Sequence, residues 1–261
     1  MATNTPFGQR LGLVLEGGAM RGIYTAGVLD VFLEAGIMPD VVVGVSAGAL
    51  HGCSYVAGQK GRSIRYYRKY RSDKHFMGLY SLLTTGDVVG TKFCYEDIPL
   101  RLDPFNEAAF EKAPVDFYVT VTNVRTGKPE YILCDELKVG SKMDVIRAGA
   151  SMPLCSKMVE WNGNLYLDGG VSDSILKQPA AMAPFEAMYR KYPAFVEAMR
   201  GRDQMYNTEV CAVEQAAKQG DVFLIRPSKL LHVGRMEHDI EVLNAQYELG
   251  RQDARNQMDV M

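Results

Sequence analysis

Residues 40–57 read D-V-V-V-G-V-S-A-G-A-L-H-G-C-S-Y-V-A. The run Asp40 to Val43 is rich in β-branched side chains, which predicts a buried strand. Ala49 to Ala57 reads as a helix. Between them Gly44-Val45-Ser46-Ala47-Gly48 has to turn the chain sharply, and Gly44 and Gly48 remove side chains that would clash in so tight a turn. A serine there has its hydroxyl lifted above the sheet edge, with a helix N-terminus behind it supplying partial positive charge. A G-x-S-x-G string alone is weak evidence. Its place between a β-run and a helix is what points to a nucleophile at Ser46 rather than to a mere turn.

Working outward, Leu11 to Leu15 is a short apolar run and reads as another buried strand. Gly17-Gly18-Ala19-Met20-Arg21-Gly22 follows it. Tyr24, Val28, Val31, Phe32 and Ala35 then recur at helical spacing, and Gly36 ends that helix. Strand, helix, strand, helix in succession predicts an α/β fold with a mostly parallel sheet and helices on its faces. Farther on, Val115 to Thr122 alternates like a strand and Tyr131 to Cys134 returns after a turn. Residues 91–112 carry two short helices broken at Pro104, and Asp144 to Ala150 forms another stopped before Pro153. Met158 to Trp161 and Leu165 to Leu167 flank Asn162-Gly163, a hairpin signal. Helices are predicted over 193–219, with a break near Gly201, and over 235–258, with a strand at Asp221 to Arg226 between them. Without repeats or an evident linker, residues 1–261 read as one domain.

The G-G-A-M-R-G loop at 17–22 also joins a strand to a helix, so its consecutive N–H groups can converge on an anion. A tetrahedral oxyanion and a phosphate both fit. A dinucleotide fingerprint fits poorly, because Ala19 replaces its second glycine and Asp40 precedes the second strand instead of ending it. Arg21 reads equally well as a cation near the oxyanion or as a partner for a carboxylate that fixes the loop. Asp168-Gly169-Gly170 follows the hairpin, and that aspartate could take the Ser46 proton. Taken alone, the motif reads better as a turn aspartate capping its own backbone.

Together the three motifs resemble the patatin-like phospholipase family, whose pattern is G-G-x-x-R-G, then G-x-S-x-G, then a late D-G-[AG]. The likeness extends through E-D-I-P-L-R-L-D-P-F (96–105), R-A-G-A-S-M-P (147–153) and S-D-S (172–174). R-K-Y-P (190–193), Q-M-Y-N (204–207) and I-R-P-S (225–228) are similar to bacterial members. The resemblance implies a three-layer sandwich with a mostly parallel central sheet. It makes Ser46 the nucleophile and Asp168 the base of a fatty-acyl ester hydrolase acting on phospholipid, lysophospholipid or a related lipid. It also implies oxyanion N–H groups from Gly17, Gly18 and Ala19, with Arg21 shaping the loop and no cofactor or metal. Two departures stand out. Ala19 replaces a common glycine, which is harmless only if its φ is negative. After Ser172-Asp173-Ser174-Ile175 the family continues through a helix and a core strand, whereas Leu176-Lys177-Gln178-Pro179 leads straight into helical sequence, so a segment near 175–177 is expected to be omitted.

A Ser-His-Asp triad is the rival, since Ser46, Asp168 and His232 stand in the order of an α/β-hydrolase. His51 is five residues past Ser46 and points roughly 140° away on the helix, so it cannot be the base. His75, His232 and His238 read as surface residues. A phosphate-binding module and a Ser-His acyltransferase remain the alternatives from other classes.

The composition is that of an ordinary soluble protein, with 47% apolar residues, 23% charged residues and a net charge of −2. Cys53, Cys94, Cys134, Cys155 and Cys211 lack any C-x-x-C spacing and read as free thiols. A polar N-terminus and the lack of a long apolar run predict a cytoplasmic protein. One local charge stands out. Between 60 and 74, seven basic residues face Asp73 alone, with tyrosines interleaved and an apolar stretch following to Leu83. That region, 60–83, is either a peripheral contact for lipid headgroups or a solvated helix followed by a core helix. No module for nucleic acid accompanies it.

Overall fold

The computed structural model describes residues 10–135, 137, 143–173, 182–230 and 232–258. The expected omission near 175–177 lies outside the described residues. The first strand and helix are β1 (Gly12–Leu15) and α1 (Ile23–Glu34), which ends at Gly36 with φ 69°. β2 (Val41–Val45) passes through the Ser46 turn into α2 (Ala47–Val56). Next come α3 (Arg62–Tyr70), α4 (Leu79–Thr85), a π-helical segment Phe93–Leu102, and α5 (Glu107–Lys112). β3 (Asp116–Asn123), β4 (Pro129–Leu133) and α6 (Met143–Gly149) follow. β5 (Val159–Trp161) and β6 (Asn164–Asp168) form the expected hairpin, with positive φ at both Asn162 and Gly163 as a tight primed turn demands.

β1, β2 and β3 run parallel, and β4 and β6 pair antiparallel with β3. The register on β3 decides the rest. Thr120 faces Val45 of β2 on one edge and Tyr131 of β4 on the other. Val121, the next residue, faces Asp168 of β6 and Glu130 of β4. β4 therefore holds one edge throughout, while β2 and β6 share the other, end to end, with their C-termini meeting.

Residues directly opposite in neighbouring strands share a face. Leu13, Leu15, Val42, Phe117, Val119 and Val121 line one of them. α2 packs there on Leu15 and Phe117 at Gly52, and α6 on Val119 and Val121 at Gly149. On the other face Leu167 and Val171 are buried with Phe185 of α7 (Met182–Met188) and Phe195 and Met199 of α8 (Pro193–Gln219). Over β1 and β4 that face leaves Val14, Tyr131 and Leu133 exposed. The α/β sandwich read from the sequence is present, with helices on both sides of a mixed sheet.

Three expectations fail locally. α8 runs unbroken through Gly201, whose added backbone freedom weakens a helix by only about 1 kcal/mol. Asp221 to Arg226 pairs with no strand. An apolar run needs a free sheet edge as well as composition, and here Ile225 packs on the core while Val222 and Phe223 stay exposed. The last helix, α9 (Ile240–Met258), starts later than 235.

α9 lies against α1 at a mutual close approach. A Cβ on Gly27 would come 2.1 Å from the Tyr247 carbonyl oxygen, and one on Gly250 would come 2.1 Å from that of Tyr24. Tyr24 and Tyr247 donate across the contact to Asp253 and Asp30. Gly250→Ala must therefore push the helices apart and is expected to lower stability by about 2 kcal/mol or more in denaturant titration. Gly201→Ala, where a Cβ meets nothing within 4 Å, is expected to gain about 0.5–1 kcal/mol.

Candidate active site

Since β2 and β6 end against adjacent residues of β3, the residue after Val45 and the last residue of β6 are brought together. Ser46 Oγ donates to Asp168 Oδ2 at 2.6 Å. Ser46 has φ 52° and ψ −122°, a strained backbone state for a non-glycine residue, held by the strand before it and the helix after it. The turn closes because two glycines allow backbone contact. A Cβ on Gly48 would lie 2.2 Å from the Leu15 carbonyl oxygen, and one on Gly44 would lie 2.5 Å from the Ala49 Cα.

Asp168 is completely buried and Ser46 is 4% exposed. The carboxylate's other oxygen, Oδ1, accepts from the Gly170 N–H at 2.8 Å. The turn cap of Asp168-Gly169-Gly170 and the hydrogen bond from Ser46 thus fall on different oxygens of one side chain. Its backbone is fixed as well. The Asp168 N–H donates to the Ser151 carbonyl at 2.8 Å, and the Thr122 hydroxyl donates to the Asp168 carbonyl at 2.9 Å. Burial pushes the Asp168 carboxyl up to about 6, opposed by the Ser46 and Gly170 hydrogen bonds and by the charge of Arg202. It therefore stays ionised at neutral pH, as a far stronger base than an exposed aspartate.

The 17–22 loop comes against the same spot. A Cβ on Gly17 would meet that of Ser46 at 2.9 Å, and one on Gly22 that of Ala47 at 2.7 Å. Ala19 to Gly22 forms a 3₁₀ turn leading into α1. The N–H groups of Gly18 and Ala19 have no acceptor among the described residues. Ala19 takes φ 52°, so the condition that its φ be negative is not met. The methyl is carried at a conformational penalty of about 1–2 kcal/mol. Arg21 forms no ion pair among the described residues, although its charge favours the Glu16 carboxylate; its Nε is buried without a hydrogen-bond partner, and its carbonyl accepts from Gln246. Gly169 follows Asp168 under Thr120, where a Cβ would lie 2.3 Å from the Thr120 carbonyl oxygen.

No imidazole stands between Ser46 and Asp168. His51 is buried on the far side of α2, with Nδ1 3.0 Å from the Ser63 hydroxyl, and desolvation lowers it to about 4. His75 is held by Asp73 at 2.8 Å. His232 and His238 are exposed. Ser46 opens into an apolar cavity lined by Met20, Leu50, Met77, Ile98, Ile146 and Met152 among others. That lining explains two further motifs. Ile98 and Pro99 come from the 96–105 stretch, while Ile146 and Met152 flank the segment whose Ser151 carbonyl fixes Asp168.

The basic stretch at 60–74 is largely used within the protein. Arg65 forks onto Asp103 at 2.6 and 2.8 Å, and the buried Arg62 reaches Ser54 and the Asp103 carbonyl. Arg71 donates to the carbonyls of Glu237 and Met236, Arg68 to Asn244, and Lys60 pairs with Glu34. The exposed apolar surface lies instead on α4, where Leu79 is 70% and Leu83 76% exposed. Sequence reasoning missed Arg202, because a lone arginine in a long helix carries no signal of what it faces.

A family model described as patatin-like phospholipase matches residues 13–181, and one described as a domain of unknown function (DUF6363) matches 192–261. The protein YjjU of Escherichia coli (strain K12) is 28% identical over 93% of this chain and 75% of its own length. Lysophospholipase nte1 of Aspergillus terreus is 30% identical, and that of Aspergillus fumigatus 29%, over 64% of the chain. The matched region spans only 11% of each of those fungal proteins. No helix among the described residues is long and apolar enough to cross a membrane. With its family model covering the strands, loops and glycines that bring Ser46 to Asp168, the chain belongs to the patatin-like phospholipase family.

Proposed function

We propose that this chain is a serine acyl hydrolase that cleaves fatty-acyl esters of phospholipids, lysophospholipids or related lipids through a Ser46–Asp168 dyad. The observation that carries the reading is the buried 2.6 Å hydrogen bond from Ser46 Oγ to Asp168 Oδ2 at the mouth of an apolar cavity. In this reading Asp168 takes the Ser46 proton as Oγ attacks the ester carbonyl. The N–H groups at 17–19 receive the oxyanion, aided by the α2 N-terminus. Asp168 returns the proton to the leaving alcohol; it then takes one from the water that attacks the acyl-enzyme and passes it to Ser46 Oγ as the fatty acid leaves. The cavity holds the acyl chain. The lysophospholipase names of the fungal relatives support a lipid ester, and residues 1–261 act as one unit because Ala254 of α9 lies in the same core as Leu15 and Phe117.

Hydrolysis of p-nitrophenyl acyl esters tests the dyad. Ser46→Ala and Asp168→Asn are expected to lose about 10³-fold or more of kcat/KM while folded. His232→Ala stays near wild type. An inactive, folded His232→Ala would replace the dyad with a triad. A wild type that neither hydrolyses esters nor reacts with a fluorophosphonate would favour a phosphate-binding module. Because the base works only when ionised, kcat/KM is expected to rise about tenfold per pH unit up to about 6, then level off. An acid limb near 4 would contradict a desolvated Asp168.

Peripheral lipid contact falls on α4 in this reading, since its exposed leucines follow closely in the chain on Phe76 and Met77, which line the cavity. Leu79→Asp with Leu83→Asp is expected to weaken hydrolysis of vesicle-borne phospholipid several-fold and leave a soluble short-chain ester unaffected. Equal loss on both substrates would count against the contact.

A further inference from the structure

Val171, three residues past Asp168, is buried in the cluster that holds Met199 of α8, and Gly170 beside it donates its N–H to Asp168 Oδ1. Arg202 stands three residues past Met199, on the same face of that helix. It is 3% exposed, and its Nη1 donates to Met199 Sδ at 3.4 Å. Its Nε and Nη2 are buried with no hydrogen-bond partner among the described residues. Burying an arginine without a countercharge is strongly unfavourable. The charges that act on Arg202 are Asp168 and Asp203, which favour its cation, and the exposed Arg235, which opposes it.

We propose that Arg202 is a positioning residue for the reaction. It supplies from α8 a buried positive charge that helps to hold the Asp168 carboxylate ionised beside Ser46. This rests on the Ser46–Asp168 reading and extends it to residues 192–261, which lie outside the patatin-like match. Arg202 makes no hydrogen bond to Asp168 and acts on it as a charge. Ser46 and the Gly170 N–H, both neutral, hydrogen-bond the carboxylate and favour its ionised form more strongly than Arg202 does, the phenol of Tyr95 acts on it from the π-helical segment, and Arg202 adds a cation to this set. Burial lowers the Arg202 guanidinium to about 10, so it remains a cation at neutral pH. The same C-terminal region braces the oxyanion loop, because Gln246 donates to the Arg21 carbonyl and the Met20 N–H donates to the Arg235 carbonyl.

The test is the pH dependence of the rate at which a fluorophosphonate labels Ser46 in the full chain, which reads Asp168 without an assumed substrate. It compares wild type, Arg202→Met and Arg202→Lys, with folding checked by circular dichroism. In Arg202→Met the acid limb is expected to move up by about one pH unit, so labelling at pH 6 falls several-fold to tenfold while labelling at pH 9 changes less than about threefold. Arg202→Lys keeps the limb close to wild type. A folded Arg202→Met with an unshifted limb overturns the proposal, as does an equal loss at every pH in both variants, which would mark a packing role. If Asp168→Asn labels like wild type, the dyad reading itself fails and takes this inference with it.

Discussion

The arrangement on which the site depends is the sharing of one edge of β3 by two strands that end against each other. Val45 pairs with Thr120 and Asp168 with Val121, so the β2 turn and the end of the β5–β6 hairpin meet within one residue of register. A one-residue slip in either pairing would turn the side chains to the opposite face and part Ser46 from Asp168. Much of the surrounding structure fixes that register. β4 holds the opposite edge of β3, Thr122 ties down the Asp168 carbonyl, and the Ser151 carbonyl takes the Asp168 N–H.

Placing Ser46 and Asp168 there is unfavourable for stability, and the rest of the fold has to offset it. Ser46 and Ala19 both sit at φ 52°, and the Asp168 carboxylate and the Arg202 guanidinium are both buried. Strain of this kind persists only where rigid surroundings over-determine it. Those surroundings are close backbone contacts: Gly48 under the end of β1, Gly17 against Ser46, and α9 pressed onto α1. The C-terminal helices thus contribute to the site twice, as packing behind the 17–22 loop and as the source of Arg202. Under the proposed function, a desolvated Asp168 without a histidine is chemically sensible in this setting, because burial would strengthen it as a base while hydrogen bonds from Ser46 and Gly170, and the charge of Arg202, favour its ionised form.

The motifs were legible because backbone requirements force particular residue types. Glycines at 17, 44 and 48 mark places where another chain segment comes too close for a side chain, and β-branched runs before the turns mark strands. The Asn162-Gly163 hairpin and the Gly36 helix end were readable for the same reason. The contacts of Asp168 were ambiguous from its local sequence, since an aspartate that only caps its own turn and one that also accepts from Ser46 look alike until the second oxygen's partner is known. The basic stretch at 60–74 misled for a related reason. Composition counts charges but does not say that Asp103, Glu34 and the carbonyls of Met236 and Glu237 lie opposite them. Arg202 and the unpaired 221–226 run depend wholly on long-range packing, which a single sequence leaves unexpressed.

The most direct test of the account is the mass of the protein after brief reaction with a long-chain p-nitrophenyl ester and an acid quench. The account predicts a single added acyl group, on the peptide containing Ser46, absent in Ser46→Ala. Continued ester turnover with no acyl adduct on that peptide, or an adduct on another residue, would contradict a Ser46 acyl-enzyme.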